Sequence, residues 1–179
     1  MPAGKIEHCY ATGTINGYEY CGGIAGSNKS FGMTNEPQGW PDGTVNSCVA
    51  LNKSVTQRYT PPHYVNDYKE RVGRITGFAQ IIQVGSSDCR NMSNNWGRSN
   101  MNVVYDGSNI NCESNLKGRH GKNILEPGYH GAYSDSWWTT DPEGPKFSST
   151  CWSVAKNRLP HLKTTTGAAF KQPQTPVVQ

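Results

Sequence analysis

The stretch Gly4-Lys-Ile-Glu-His-Cys-Tyr-Ala11 aligns without a gap with Gly43-Thr-Val-Asn-Ser-Cys-Val-Ala50. Glycine, the β-branched residue two positions later, cysteine and alanine coincide, and after one inserted residue Ile15 matches Val55. A second half-motif follows each copy, first as Cys21-Gly-Gly-Ile-Ala-Gly26 and then as Val72-Gly-Arg-Ile-Thr-Gly77. Because two half-motifs recur in the same order, we interpret them as a structural repeat.

A degenerate third copy follows at Asn94-Asn-Trp-Gly-Arg-Ser-Asn-Met-Asn-Val103, where Asn95 takes the cysteine position. The spacing of Ala11, Ala50 and Gly97 lies in the range of about 20–50 residues that is typical of solenoids, propellers and arrays. Each unit holds short β-branched stretches between Gly and Asn, so we predict an all-β fold, a short right-handed parallel β-helix (β-solenoid) with an irregular C-terminal cap. Glycine and asparagine are expected at corners with positive φ. The predicted core residues are Ile6, Cys9, Ala11, Ile15, Ile24, Val45, Cys48, Ala50, Val55, Val72 and Ile75.

Composition supports the exclusion of helical and membrane folds. The 179 residues are 34% hydrophobic and include 20 Gly, and Leu and Ala are too scarce for a helical bundle. No apolar run is long enough to span a membrane. The net charge of +4 is spread along the chain without a Lys/Arg block, which disfavours nucleic acid as a partner. The basic residues Lys117, Arg119 and Lys122, with His120, are expected in a solvated loop.

We divide the chain into β-solenoid repeats (1–103), C-terminal strands and cap (104–163) and a polar tail or linker (164–179). Bulky apolar residues gather in the second segment, where they could cover the open end of a coil. Helix is expected only as one turn beginning at Asn123, which could form a capping box with Glu126. The bulky residues of the predicted cap are Trp137, Trp138, Phe147, Trp152, Val154, Leu159 and Leu162.

These blocks together resemble a known family. Their order, followed by Trp137-Trp138 and a closing Trp152-Ser-Val-Ala-Lys-Asn-Arg-Leu159-Pro-His-Leu162, is similar to the GLUG-repeat segments of large bacterial surface proteins, over about residues 4–163. The resemblance implies a parallel β-helical module that is extracellular and displayed on the bacterial cell surface. It implies no catalytic residues, and we expect a non-enzymatic role in structural display or adhesion. Export signals are expected elsewhere, in a longer parent protein.

The six cysteines are dispersed and lack C-x-x-C spacing, which argues against zinc-ribbon and thioredoxin sites. Either three disulfides in an oxidising compartment or free thiols in the core would account for them. Cys9 and Cys48 occupy the same repeat position. We therefore hypothesise that they stack on neighbouring turns, close enough to form a disulfide.

No motif predicts catalysis, a metal site or a cofactor. The nearest local pair of carboxylates is Asp141-Pro-Glu143, in a turn sequence, so a polysaccharide-cleaving enzyme remains the weakest alternative. His120 and His130 share one loop-rich stretch, but two histidines do not make a closed metal site.

Aromatic residues suggest a carbohydrate-binding module as the main alternative, because sugar rings stack on exposed aromatic faces. Two groups, in inserted loops and near the cap, are the candidate ligand-binding residues. They could instead fill the cap and cover strand faces. A glycan or a host surface protein is the expected partner, and end-to-end stacking on a neighbouring module is expected because the first repeat begins at Gly4 without a visible cap. The candidates are Trp40, Tyr59, Tyr64, Tyr68, Tyr129, Trp137 and Trp138.

Overall fold

The computed structural model describes residues 4–28, 42–58, 71–79, 82–83, 86–124, 134–155 and 159–163. These residues are rich in strands, with one short helix, which confirms the predicted all-β class. The strands are β1 (Lys5–Glu7), β2 (Tyr10–Ala11), β3 (Ile15–Gly17), β4 (Cys21–Gly22), β5 (Ala25–Ser27), β6 (Thr44–Asn46), β7 (Val49–Ala50), β8 (Ser54–Gln57), β9 (Val72–Gly73), β10 (Thr76–Phe78), β11 (Met92–Ser93), β12 (Trp96–Arg98), β13 (Asn102–Tyr105), β14 (Ser108–Asn109), β15 (Lys122–Ile124), β16 (Trp152–Ser153) and β17 (His161–Leu162), and the helix is α1 (Asp135–Thr139).

The described strands form small sheets in which equivalent parts of the sequence repeat pair in parallel. Their orders are β1-β6-β11, β15-β12-β7-β2, β14-β13-β8-β3, β4-β9 and β10-β5. Antiparallel pairing occurs between β13 and β14 and between β16 and β17. We call residues 4–28 the first repeat, 42–79 the second repeat and 91–105 the third repeat.

The register of these pairs confirms the sequence alignment. Ile6 pairs with Val45, Ala11 with Ala50, and Ile15 with Val55. The third repeat continues all three columns, because Met92 pairs with Val45, Gly97 with Ala50 and Val103 with Val55. Parallel, in-register pairing brings identical repeat positions next to one another, so similar residues stack in columns.

An inner cluster of apolar side chains lies between these sheets. Ten of the eleven predicted core residues belong to it or pack against it, and Ala11 is the exception. Val55, Cys48 and Ile75 have no exposed surface. The buried members of the inner cluster are Cys21, Val45, Cys48, Ala50, Val55, Val72, Ile75, Ala79, Cys89, Met92, Met101 and Val103.

The prediction that glycine and asparagine occupy the positive-φ corners holds for Asn94 at one repeated corner and is wrong there for His8 and Ser47. His8, Ser47 and Asn94 occupy the same position in the three repeats and have φ of 48°, 53° and 50°. This corner therefore tolerates several residue types. Gly77 is needed for a different reason: a Cβ there would lie 2.5 Å from the backbone nitrogen of Cys21 and 2.6 Å from the carbonyl oxygen of Gly26.

An outer cluster of aromatic residues covers the opposite face of the β2-β7-β12-β15 sheet. Alternate strand residues point to opposite faces, so Ala50 enters the inner cluster while its neighbour Val49 enters the outer one. The buried members of the outer cluster are Val49, Leu51, Trp96, Ile124, Trp137, Trp138, Phe147 and Leu159, with Tyr10, Leu116, Trp152 and Val154 packed against them.

The predicted C-terminal cap is wrong in its position. Its aromatic residues contact one sheet along its face, from Tyr10 in the first repeat to Trp96 in the third. The physical reason is that this face presents Tyr10, Val49 and Trp96 in consecutive strands, an apolar surface that must be buried. The segment therefore packs beside the repeats.

The helical prediction also changes. Asn123 lies in β15, while Glu126 lies outside the described residues. The helix instead begins after Ser134, whose side chain accepts a hydrogen bond from the backbone N–H of Trp137. It is held by burial of Trp137 and Trp138, since five residues are too few to be stable alone.

Candidate interaction surface

The structure describes two of the seven predicted ligand-binding residues. Trp138 is fully buried in α1, and Trp137 is only 7% exposed. Neither ring offers a free face on which a sugar could stack, so both fill the outer cluster, as the alternative interpretation held. The other five candidates, Trp40, Tyr59, Tyr64, Tyr68 and Tyr129, lie outside the described residues.

Tyr10 joins the outer cluster to the first repeat, a role that sequence analysis missed. Its ring packs 6.0 Å from that of Trp138 and 5.8 Å from that of Trp152, centroid to centroid. Its hydroxyl donates a hydrogen bond of 2.7 Å to the carbonyl oxygen of Pro160, and burial raises its pKa. The alternation of Tyr10 with the small Ala11, repeated at Trp96-Gly97, is the signal that could have revealed two buried faces.

The edge of the first repeat is the candidate interaction surface. Strands β1, β2 and β3 each stand last in their described sheets and have no neighbour on one side. The core side chains Ile6, Cys9, Ile15 and Ile24 are only partly buried there. Such an edge presents unpaired backbone groups that can accept another strand.

Backbone hydrogen bonds show which residues of β1 face this open edge. The carbonyl of Gly4 accepts from the N–H of Thr44, and the N–H of His8 donates to the carbonyl of Asn46. Because pairing alternates along a parallel strand, the backbone groups of Lys5 and Glu7 point away from β6. Their side chains form a 2.9 Å ion pair, and this contact with Lys5 is the main cause that lowers the pKa of Glu7.

A row of polar side chains extends from this edge across the other repeats. Glu7, Asn46 and Ser93 occupy paired positions in β1, β6 and β11. The hydroxyl of Ser93 donates to Oδ1 of Asn46 at 2.7 Å, and Nδ2 of Asn46 lies 3.5 Å from Oε1 of Glu7. The outward polar face is therefore partly ordered by bonds between repeats.

A buried arginine holds the second repeat to the residues that follow. Arg74 is 1% exposed, and burial lowers its pKa. Among the described residues no carboxylate pairs with it; all its hydrogen bonds go to backbone carbonyls. The guanidinium donates from Nε to His120 (2.8 Å), from Nη1 to Gly97 (3.3 Å) and Arg98 (3.0 Å), and from Nη2 to Glu113 (3.4 Å) and Gly121 (2.9 Å).

The position of Arg74 explains Gly97 in the column that otherwise holds alanine. A Cβ on Gly97 would lie 2.5 Å from the carbonyl oxygen of His120, to which Arg74 donates, 2.7 Å from Nε of Arg74 and 3.1 Å from its Cδ. In the first repeat the position equivalent to Arg74 is Gly23, where an added Cβ would lie 3.2 Å from the Cβ of Ala50. The missing methyl group at Gly97 leaves room for the Arg74 side chain, and neither exchange was anticipated from the sequence.

His120 is buried rather than solvated, contrary to the prediction for the basic stretch. It is 5% exposed, and its Nε2 accepts a hydrogen bond of 3.3 Å from Nε of Arg119. Burial, with smaller contributions from Arg119 and Arg74, lowers its pKa to about 3. His120 is therefore neutral near pH 7, and its predicted companion His130 lies outside the described residues.

The carboxylates of the predicted local pair have structural contacts. Oδ1 of Asp141 accepts from the backbone N–H of Glu143 at 2.8 Å. The carboxylate of Glu143 pairs with Lys122 at 2.7 Å and joins the segment after α1 to β15. Within the described parts of the chain, no group of three or more His, Cys, Asp or Glu residues is arranged to hold a metal ion.

Comparisons with protein-family models, curated proteins and solved structures found no match to this chain. No helix among the residues that the structure describes is long and apolar enough to cross a membrane.

Proposed function

We propose that this chain is a non-enzymatic structural module of a bacterial cell-surface protein, serving display or adhesion. In this proposal the three repeats form successive turns of a short right-handed parallel β-helix related to GLUG-repeat segments. The observation that carries it is the parallel, in-register pairing of the repeats across three sheets, β1-β6-β11, β2-β7-β12 and β3-β8-β13. Stacked turns of this kind give a stiff support for surface loops.

The packing of the repeats supports a scaffold role. The inner cluster consists of small and medium side chains such as Ala50, Cys48 and Val55, which are fully buried. A core filled in this way leaves binding to outward side chains and inserted segments. The polar row formed by Glu7, Asn46 and Ser93 is one such outward surface.

A glycan array combined with a reducing-sugar assay tests the proposal against its two alternatives. A display module predicts no release of reducing ends from any glycan. If the protein binds a glycan and Trp40→Ala abolishes that binding with an unchanged far-ultraviolet spectrum, the carbohydrate-binding alternative replaces it. Trp137→Ala is unsuitable for this purpose, because Trp137 is buried and its removal would destabilise the packing of the outer cluster. Release of reducing ends that is lost on replacing one aspartate would establish the enzyme.

We propose that the open edge of the first repeat accepts a strand from a neighbouring module. Lys5→Pro removes a backbone N–H that faces this edge without removing a bond to β6, because Gly4 and His8 make the flanking bonds. The matched control Lys5→Gln removes the charge and keeps the N–H. Sedimentation at increasing concentration should show end-to-end association of the wild type and of Lys5→Gln, and less association of Lys5→Pro. Wild type that stays monomeric throughout would contradict this mode of assembly.

A further inference from the structure

Two thiols occupy one column in the first and second repeats. Cys9 and Cys48 directly precede the paired residues Tyr10 and Val49, and the backbone N–H of Val49 donates to the carbonyl of Cys9 at 2.9 Å. Neighbouring parallel strands lie about 4.8 Å apart, within the roughly 4.4–6.8 Å between Cα atoms that a disulfide spans. The backbone separation therefore suits a bond between these two residues.

The side chains also point the same way. The thiol of Cys9 lies 3.1 Å from the carbonyl oxygen of Glu7, and that of Cys48 lies 3.2 Å from the carbonyl oxygen of Asn46, the residue paired with Glu7. The Cys48 thiol also lies 3.7 Å from the carbonyl oxygen of Ile6, in the first repeat. Both sulfurs thus occupy the inner cluster, with that of Cys48 directed toward the repeat that contains Cys9.

The third repeat closes the other side of the column. Asn95 takes the cysteine position there, and its side chain is fixed by two bonds. Its Nδ2 donates to the carbonyl of Val45 at 2.8 Å, and its Oδ1 accepts from the backbone N–H of Cys48 at 3.1 Å. No thiol follows Cys48 in this direction, so within the column its partner can only be Cys9.

We propose that Cys9 and Cys48, both free thiols in this structure, are an oxidation site at which a disulfide links the first repeat to the second. The bond would link the first repeat, in which the core side chains Ile6, Cys9 and Ile15 are only partly buried, to the second repeat, in which the equivalent side chains are fully buried. The proposal concerns covalent chemistry inside the repeats and does not rest on the role in surface display.

The oxidant is a low-molecular-weight disulfide such as oxidised glutathione. The Cys9 thiolate attacks one of its sulfurs, forms a mixed disulfide and releases one glutathione thiolate, which takes up the proton that Cys9 lost. The Cys48 thiol then loses its proton and attacks the Cys9 sulfur, which breaks the mixed disulfide; the second glutathione leaves as a thiolate and takes up that proton. Two protein thiols and one oxidised glutathione become one protein disulfide and two reduced glutathiones. The first attack falls to Cys9 because it is half-buried, whereas Cys48 is fully buried with a pKa raised to about 12 by that burial.

Peptide mapping of the oxidised full-length protein tests the site. Folded protein is incubated with oxidised glutathione, its remaining thiols are alkylated, and it is digested without reduction. Trypsin leaves Cys9 and Cys21 in one peptide, so a second cleavage after Glu19 is needed to separate them. The expected product joins the peptide that contains Cys9 to the peptide that contains Cys48. Its mass should be about two units below the summed masses of the two reduced peptides.

Two matched variants sharpen this result. Cys21→Ser removes the other thiol of the first repeat and should leave the linked peptide in place, since Cys21 is paired with Val72. Cys9→Ser should abolish it. Oxidation should raise the melting temperature of the wild type and of Cys21→Ser on the order of 5–10 °C, and that of Cys9→Ser not at all.

Other outcomes would overturn the proposal. They are Cys9 recovered as a lasting glutathione adduct, Cys48 recovered alkylated after full oxidation, or either residue joined to a different cysteine. If Cys9→Ser does not fold, the map of the wild-type chain still decides, because it identifies both partners directly.

Discussion

The first and second repeats place similar residues in the same register but differ in burial. Val55 and Cys48 of the second repeat are fully buried, whereas their partners Ile15 and Cys9 are only partly buried. In the described sheets, β6, β7 and β8 of the second repeat have a paired strand on each side, whereas β1, β2 and β3 of the first have one on a single side. Burial in this protein therefore depends on position among the repeats more than on residue type, as expected when each unit is covered only by its neighbours.

The largest effect is expected where the second repeat departs from the first, at Arg74. Arg74→Ala removes hydrogen bonds to five backbone carbonyls, of which those to His120, Gly97 and Gly121 are fully buried, and it leaves a cavity. We expect a loss of about 3–5 kcal/mol in the free energy of unfolding, measured by urea denaturation.

Lys53→Ala is the control for that measurement, because Lys53 is an exposed cation of the same repeat. Its effect should lie within about 0.5 kcal/mol of zero. Equal stability of the two variants would mean that Arg74 does not hold the second repeat to the third.

The next prediction compares the losses of stability caused by Val55→Ala and Ile15→Ala, whose expected order is the reverse of the order of residue size. Val55→Ala removes fewer carbon atoms than Ile15→Ala, yet Val55 is fully buried between two strands and Ile15 lies at the open edge. We expect about 2–3 kcal/mol for Val55→Ala and about 1 kcal/mol for Ile15→Ala, because a cavity forms only at the buried site. Urea unfolding of both variants would check this, and a larger loss for Ile15→Ala would show that the edge is covered in solution.

The register of the repeats could be predicted from the sequence because it depends on local similarity. The match of Gly4–Ala11 with Gly43–Ala50 specified which strands pair and which residues oppose each other. Parallel pairing between similar copies needs no further information, since each residue meets its own counterpart.

The outer cluster and the buried cation could not be predicted, because they depend on contacts between dissimilar segments. Trp137 and Trp138 were recognised as apolar, but their packing on Tyr10 and Trp96 requires the path of the chain after β15. Arg74 stood in a glycine position of the repeat, and only the structure shows that Gly97 leaves the space for it. Candidate binding aromatics were identified by composition, which does not distinguish exposed rings from packed ones.

A pH dependence of stability should originate at the buried His120, in the segment that follows the third repeat. The pKa of His120 is about 3 in the folded chain and about 6.5 when unfolded, so between these values the unfolded chain binds more protons. Stability is therefore fully present above pH 6.5 and falls as the pH decreases toward 3. We expect a loss of about 2 kcal/mol between pH 7.5 and 5, measured by urea unfolding at each pH.

His120→Gln is the control for this pH dependence, since it keeps a polar side chain and removes the titrating group. The free energy of unfolding of the variant should fall less than that of the wild type between pH 7.5 and 5. The difference should be about 2 kcal/mol, the contribution expected from His120. Parallel curves for the wild type and His120→Gln would assign the pH dependence to other groups.

The smallest expected effect comes from replacing the equivalent cysteine by alanine in the first and in the second repeat. Because the substitution is the same, any difference in stability reflects the position of the residue. Under reducing conditions Cys48→Ala removes a sulfur from a site with no exposed surface, whereas Cys9→Ala removes one from a half-buried site at the edge. We expect about 1–2 kcal/mol for Cys48→Ala and less than about 1 kcal/mol for Cys9→Ala in urea unfolding, because sulfur packs as an apolar group and only the first site leaves a closed cavity. If strands from another molecule pair with β1 and β2 at high protein concentration, the Cys9 site becomes covered and the two losses should converge. A difference that persists unchanged at every concentration would mean that the edge stays open.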